Sequence, residues 1–240
     1  TFELQGSLTV PRCGGINHAD FSIDGRYAIF TCEFTGGVAK IDLVERKVLG
    51  YLQLILPGKP TKVVKGPDGR DETICTTWKG MPQDIRVSPD GKTWYIADMM
   101  SNGVYVVDGE RFAQIDYVKT STGAHGLYPS RDGRKLYIAN RGSNKIHAPP
   151  KGPGGVSVLD FATRKIVAEW PIPGGGSPDM GNVSAAGKQL GLPGRYDDAV
   201  SVIDPDAGAV RKMKVGAEPH GLTVWPQPGR YSLGHTGNMR

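Results

Sequence analysis

Gln83-Asp-Ile-Arg-Val-Ser-Pro-Asp-Gly-Lys92, followed by Thr93 and the β-rich run Trp94-Tyr-Ile-Ala97, decides how this chain folds. An Asp-Gly pair between an alternating run and a run of β-branched and aromatic residues is the sequence form of a tight hairpin. The phrase recurs as His18-Ala-Asp-Phe-Ser-Ile-Asp-Gly-Arg-Tyr27, as His125-Gly-Leu-Tyr-Pro-Ser-Arg-Asp-Gly-Arg134, more weakly as Asp179-Met-Gly-Asn-Val-Ser-Ala-Ala-Gly-Lys188, and as His220-Gly-Leu-Thr-Val-Trp-Pro-Gln-Pro-Gly-Arg230. Its turn glycines, Gly25, Gly91, Gly133, Gly187 and Gly229, are spaced by 66, 42, 54 and 42 residues. That is a unit of about 42 residues with two insertions, and a period of this size marks a repeat architecture.

A third strand follows each hairpin, as Val38-Ala-Lys-Ile-Asp42, Val104-Tyr-Val-Val-Asp108, Val156-Ser-Val-Leu-Asp160 and Val200-Ser-Val-Ile-Asp204. Each ends in an Asp whose side chain can start the next turn. A fourth comes after it, as in Lys47-Val-Leu-Gly-Tyr-Leu52 and Lys165-Ile-Val-Ala-Glu-Trp170. Four short antiparallel strands per unit predict an all-β chain, a β-propeller with about five sectors. The predicted organisation is one domain over 1–240. Residues 1–17 form the last strand and connector of a shared blade, 18–57 a blade, 58–81 an insertion and 82–123 a blade. Residues 124–176 form a blade with an insertion at 146–155, 177–217 a blade, and 218–240 a partial closing blade.

Phrases such as Val87-Ser-Pro-Asp-Gly-Lys92, Leu136-Tyr-Ile-Ala-Asn140 and Val202-Ile-Asp204 resemble the YVTN-type β-propeller repeat. The resemblance implies an exported, periplasmic or extracellular protein of bacterial or archaeal type, in a family whose function is poorly defined. It also implies a usual count of seven blades, so the chain is expected to be part of a larger ring unless its two ends close one shared blade. The Asp179 unit departs from the pattern: its turn is Ala186-Gly187, and its second strand, Gln189-Leu-Gly-Leu-Pro193, holds a Gly and a Pro that weaken strands.

Composition agrees with a turn-rich β-protein, with 34 Gly and 18 Pro in 240 residues. No apolar run reaches the roughly 18 residues of a membrane helix. The net charge of +5 is spread along the chain, without the interleaved aromatic residues of single-strand binders, so nucleic acid is permitted but not indicated. Cys13, Cys32 and Cys75 form no C-x-x-C pair. A Cys13–Cys32 disulfide is possible in an oxidising compartment, and Cys75 is the better candidate for a free thiol.

In a propeller the residues opening each first strand and the loops after each second strand lie at one mouth of the central channel. The first set is His18, Asp84, His125, Asp179 and His220; the second is Glu33, Met99, Arg141, Arg195 and His235. Both insertions are expected on this face, because repeat proteins vary loops on the binding side. The imidazoles and carboxylates of the first set are candidate mixed N/O metal ligands. The plainer alternative is that each anchors a turn between blades. In the second set, Arg141 and Arg195 offer forked donors for a carboxylate or phosphate, or for salt bridges to Glu33, Asp197 or Asp198. Met99 is a thioether for a soft metal or simple apolar cover.

No Gly-x-Ser-x-Gly elbow and no His-Glu-x-x-His helix appears, and no catalytic residue is assigned. Function is therefore expected to be non-enzymatic: a binding or scaffold propeller holding a protein partner or small anionic ligand, with no cofactor identified. The alternative is a propeller enzyme of lactonase-like or oxidoreductase-like type with a metal or cofactor at the mouth.

Overall fold

A computed structural model of the protein describes residues 2–67, 69–146 and 152–227, and the backbone of 232–233 and 238–239. The first blade is β1 (Ile16–Phe21), β2 (Tyr27–Cys32), β3 (Gly37–Asp42) and β4 (Lys47–Gln53), followed by a hairpin of β5 (Thr61–Lys65) and β6 (Asp71–Cys75). The second is β7 (Pro82–Val87), β8 (Thr93–Asp98), β9 (Gly103–Asp108) and β10 (Ala113–Lys119). The third is β11 (Ala124–Pro129), β12 (Lys135–Asn140), β13 (Gly155–Asp160) and β14 (Lys165–Pro171). The fourth is β15 (Asn182–Val183), β16 (Leu190–Gly194), β17 (Ala199–Ile203) and β18 (Val210–Lys214), after which β19 (Ser232–Leu233) pairs with β20 (Asn238–Met239). Each blade is a four-stranded antiparallel sheet in sequence order, and the fold is an all-β propeller. A parallel bridge from Met180 to Gly221 begins a fifth sector. Among the described residues no helix is long and apolar enough to cross a membrane.

The repeated turn works by one local device. Ser22 accepts the Tyr27 N–H on its hydroxyl (3.0 Å) and donates to Asp24 (2.6 Å), while Gly25 N donates to the Ser22 carbonyl (2.9 Å). Ser88 with Asp90, and Ser130 with Asp132, repeat it bond for bond. Ser184 keeps both of its acceptor bonds, the hydroxyl from Gln189 N (3.1 Å) and the carbonyl from Gly187 N (2.9 Å), although Ala186 has replaced the Asp. Gly25, Gly91, Gly133 and Gly187 all have left-handed φ, between 68° and 75°, which a side chain rarely tolerates.

The core lies between blades. Alternate residues of one strand point to opposite faces. Thus Trp94 and Ile96 pack with Ile29, Val38 and Leu54 of the first blade, while Tyr95 and Ala97 pack with Leu127, Leu136 and Ile138 of the third. A third cluster joins Tyr128, Tyr137 and Val158 to Leu190, Leu192 and Ile203. Outermost strands carry a bulge at matching places: Leu49, Ile115 and Val167 are each the extra residue in β4, β10 and β14, and each is exposed.

Three expectations need correction. Residues 2–10 form no strand, and Phe2, Leu4 and Leu8 are exposed. A lone strand with no sheet edge beside it has no partner for its backbone, and this segment instead leads to Cys13, which is disulfide-bonded to Cys32. The hairpin of the 58–81 insertion is not over the channel mouth. It folds against the outer rim, where Arg12 makes a bidentate pair with Glu72 and Cys75 N donates to Gln53 (3.0 Å), walling a groove of about 1160 Å³ between β4 and β10. The expected weakness of the Gln189–Pro193 strand does not prevent its pairing: β16 runs in continuous register with β17 over Leu190–Gly194, although it meets β15 only at Asn182 and Val183. Cys75 is free, as expected, but buried.

Gly25→Ala should cost about 1 kcal/mol through its backbone conformation alone, because nothing lies within 4 Å of the added methyl. Gly123→Ala, with φ +79° and the Ser143 carbonyl oxygen 2.2 Å from a built Cβ, should cost clearly more. Urea unfolding of the two variants measures the difference, and equal losses would contradict the turn geometry.

Candidate functional site at the channel mouth

The innermost strands place the candidate residues by a shared irregularity. β1, β7 and β11 each carry a register shift near their start, between Ile16 and Ala19, Pro82 and Ile85, and Ala124 and Leu127. His18, Asp84 and His125 lie inside these bulges, which re-aim side chains. Neighbouring blades are then stitched by carboxylates: Asp20 accepts Val87 N and Asp84 accepts Leu127 N, both at 2.9 Å. Between the third and fourth blades the Tyr128 hydroxyl does the same work, donating to the Asp179 carbonyl (3.1 Å) and accepting Gly181 N (2.7 Å).

Two imidazole–carboxylate pairs result. His18 Nδ1 lies 3.5 Å from Asp84 Oδ1, and Arg86 Nη1 3.0 Å from the same oxygen. His125 Nδ1 lies 3.2 Å from Asp179 Oδ1, with Arg141 Nε 3.8 Å from Oδ2 and His220 Nε2 3.8 Å from Oδ1. The His18 and His125 rings meet edge to face at 6.0 Å, so the pairs adjoin. Asp84 and Asp179 are fully buried, His18, His125 and Arg141 nearly so, and His220 is 62% exposed. Neither oxygen of Asp179 accepts a hydrogen bond among the described residues.

Burial works against ionisation of Asp84, but the Arg86 charge, His18 and the Leu127 N–H outweigh it and hold the carboxyl well below the usual range. Burial also lowers His125 to about 3, opposed by Asp179 and aided by the Arg141 charge, so its imidazole is neutral at pH 7.

Of the sequence candidates, the structure brings together His18 with Asp84, and His125, Asp179, His220 and Arg141 with Met99. Arg141 is turned inward. It is buried, with Nη1 on the Met99 sulfur (3.5 Å) and Nη2 on the Ile146 carbonyl (3.2 Å), and its carboxylate neighbour is Asp179 rather than Glu33, Asp197 or Asp198. Arg195 is half-buried, its guanidinium 5.8 Å from the Tyr196 ring, which Arg141 approaches at 5.9 Å. Glu33 is taken up by Gln83 (3.0 Å) and Asn17 (3.4 Å). His235 lies outside the described residues. No three His, Cys, Asp or Glu among the described residues are grouped as ligands for a metal ion. Sequence reasoning missed Arg86, Tyr128 and Tyr196. Arg86 was recoverable, because it stands two residues after Asp84 on one strand and therefore shares its face.

Residues 72–229 match the YNCE-like beta-propellers. The chain belongs to that family. Its fold resembles Kuenenia stuttgartiensis hydrazine synthase (19% identity over 91% of this chain and 73% of that one, TM-score 0.53). It also resembles the dihydro-heme d1 dehydrogenase NirN in complex with DHE (14%, 89% and 40%, 0.59). A third likeness is to a protein of Bacteroides uniformis provisionally named a 6-phosphogluconolactonase (19%, 90% and 61%, 0.57). At these identities the likeness is one of fold, and the chain spans less than two thirds of the last two proteins' lengths, 40% and 61%. No curated protein matches the chain.

The site predicts an acid-sensitive fold. An imidazole that takes a proton near ~6.5 when unfolded and near 3 when folded favours the unfolded state as pH falls between those values. Asp84 acts in the same direction: its contribution is present above the ordinary carboxylate pKa and is lost as pH drops toward its own lower one. Urea midpoints between pH 7 and 4 should fall, and His125→Gln should flatten the slope. An unchanged slope in the variant would remove His125 as the cause.

Proposed function

We propose that this chain is a binding propeller that holds a small polar ligand at the channel mouth, against Asp179. The observation that carries it is the state of that carboxylate: fully buried, accepting no hydrogen bond among the described residues, and surrounded by His125, His220 and Arg141 at 3.2 to 3.8 Å. A buried acceptor left without a donor costs about 1 to 3 kcal/mol, and such costs concentrate where a ligand supplies the missing bond. An anionic ligand clamped by Arg141 and Arg195 is not favoured, since Arg141 is buried, with Nη1 and Nη2 on internal acceptors and Nε turned to Asp179. A lactonase-like or oxidoreductase-like enzyme would need carboxylates free for an ion or cofactor, and Asp84 and Asp179 each already face a guanidinium.

The repeat phrasing of Val87–Lys92 supports a YVTN-type relationship within the broader propeller class. The Cys13–Cys32 disulfide supports export, because such bonds persist in oxidising compartments.

Asp179→Asn tests the reading. The purified chain should retain a discrete small-molecule adduct in native mass spectrometry, and the variant should lose it while its urea stability changes by less than about 1 kcal/mol. If no adduct is retained and the variant loses about 3 kcal/mol or more, the amount typical of breaking a buried ion pair, Asp179 is a structural partner of Arg141 and the reading fails.

A further inference from the structure

The charge and hydrogen-bond balance of the same site restricts what it can hold. Resting on the reading of the mouth as a ligand site, we infer that its ligand is a neutral, hydroxyl-rich molecule, a sugar or polyol, which donates to Asp179 and His125 in the place now covered by His220.

Charge comes first. Asp84 faces Arg86 at 3.0 Å and Asp179 faces Arg141 at 3.8 Å, so each buried carboxylate already has one cationic neighbour. His125 adds no charge at neutral pH. An anion entering here meets two carboxylates, and a metal or ammonium ion meets two guanidiniums. Either would bring an uncompensated charge into a site with almost no solvent, which is costly.

Hydrogen bonding then selects among neutral molecules. Both Asp179 oxygens are open acceptors. His125 turns Nδ1 toward Asp179, so in its neutral form the proton on that nitrogen leaves Nε2, on the far side of the ring, as an acceptor. Arg141 has one N–H of each Nη engaged, while its Nε faces Asp179 without a hydrogen bond. The Asp179 oxygens, His125 Nδ1 and Arg141 Nε all make no hydrogen bond among the described residues, so the site presents open acceptors beside open donors, and hydroxyl groups, which both accept and donate without charge, answer the two together.

Access is through His220. Its side chain is largely in solvent while the carboxylate beneath it is sealed. Its segment is joined to the fourth blade by two bonds, Met180 N to the His220 carbonyl (3.1 Å) and Leu222 N to the Met180 carbonyl (2.9 Å). Neither bond uses the imidazole. A side-chain rotation of His220 thus uncovers Asp179 without unpicking the bridge, and a hydroxyl can take the imidazole's place.

Isothermal titration of the full chain with myo-inositol, glucose and galactose, and with gluconate and glucosamine as charged counterparts, tests this. At least one neutral compound should bind saturably, with both charged compounds at least tenfold weaker. Asp179→Asn should abolish that binding, His125→Gln should weaken it at least tenfold, and His220→Ala should retain it; a circular dichroism melt checks that each variant is folded. Tighter binding of gluconate or glucosamine, lost in Asp179→Asn, overturns the ligand class while the site stands. Absence of binding by all five compounds also overturns the class, and the retained-adduct experiment then judges the site on its own. Loss of binding in His220→Ala overturns its role as cover and makes it a ligand contact.

Discussion

A sheet whose two faces are both apolar cannot exist alone in water, and that constraint organises this molecule. In β8, Trp94 and Ile96 serve one inter-blade core while Tyr95 and Ala97 serve the next, so the second blade is held from both sides. Burial on this scale contributes roughly 25 cal/mol per Å² of apolar surface, and it is shared between neighbours rather than owned by a blade. Stacking brings the first strands side by side, and only then can Asp20 and Asp84 reach the N–H groups of Val87 and Leu127. The polar centre is thus a product of the apolar packing around it.

The same arrangement explains what was legible in the residues. A turn such as Ser88–Asp90–Gly91 is local: its donors and acceptors lie within five residues, so its phrase and its geometry are one fact. The period followed from it, and with the period came the fold and the grouping of His18, Asp84, His125, Asp179 and His220. What was hidden depends on distant partners. The rim position of the β5–β6 hairpin is set by Arg12 with Glu72 and Gln53 with Cys75. The inward turn of Arg141, which sets its Nε beside Asp179, depends on Met99 and Ile146. The bulges left no mark in composition, yet they decide which side chains reach the channel. Residues 2–10 show the reverse error: an alternating pattern is compatible with a strand but does not provide the neighbouring edge.

Membership of the YNCE-like beta-propellers and likeness to proteins as different as a hydrazine synthase and a dehydrogenase lead to one conclusion about level. The architecture is common property, and function must be argued from the site. Here the charges at the mouth are arranged in pairs. Asp84 is answered by Arg86 of its own strand and Asp179 by Arg141 of the adjoining blade, so the two buried carboxylates reach charge balance by different positions of the repeat.

The bulges at Leu49, Ile115 and Val167 bear on a different risk. A blade's last strand leaves a row of backbone donors and acceptors facing outward, the sort of template on which strands of other molecules polymerise. One surplus residue midway along β4, β10 and β14 breaks the regular spacing that a foreign strand would need. β18 has no such bulge, but its Val-Arg-Lys-Met-Lys sequence sets positive side chains along the edge. By one means or the other, each of the four blades discourages the fibre-forming contact that its own hydrogen-bonding pattern would otherwise invite.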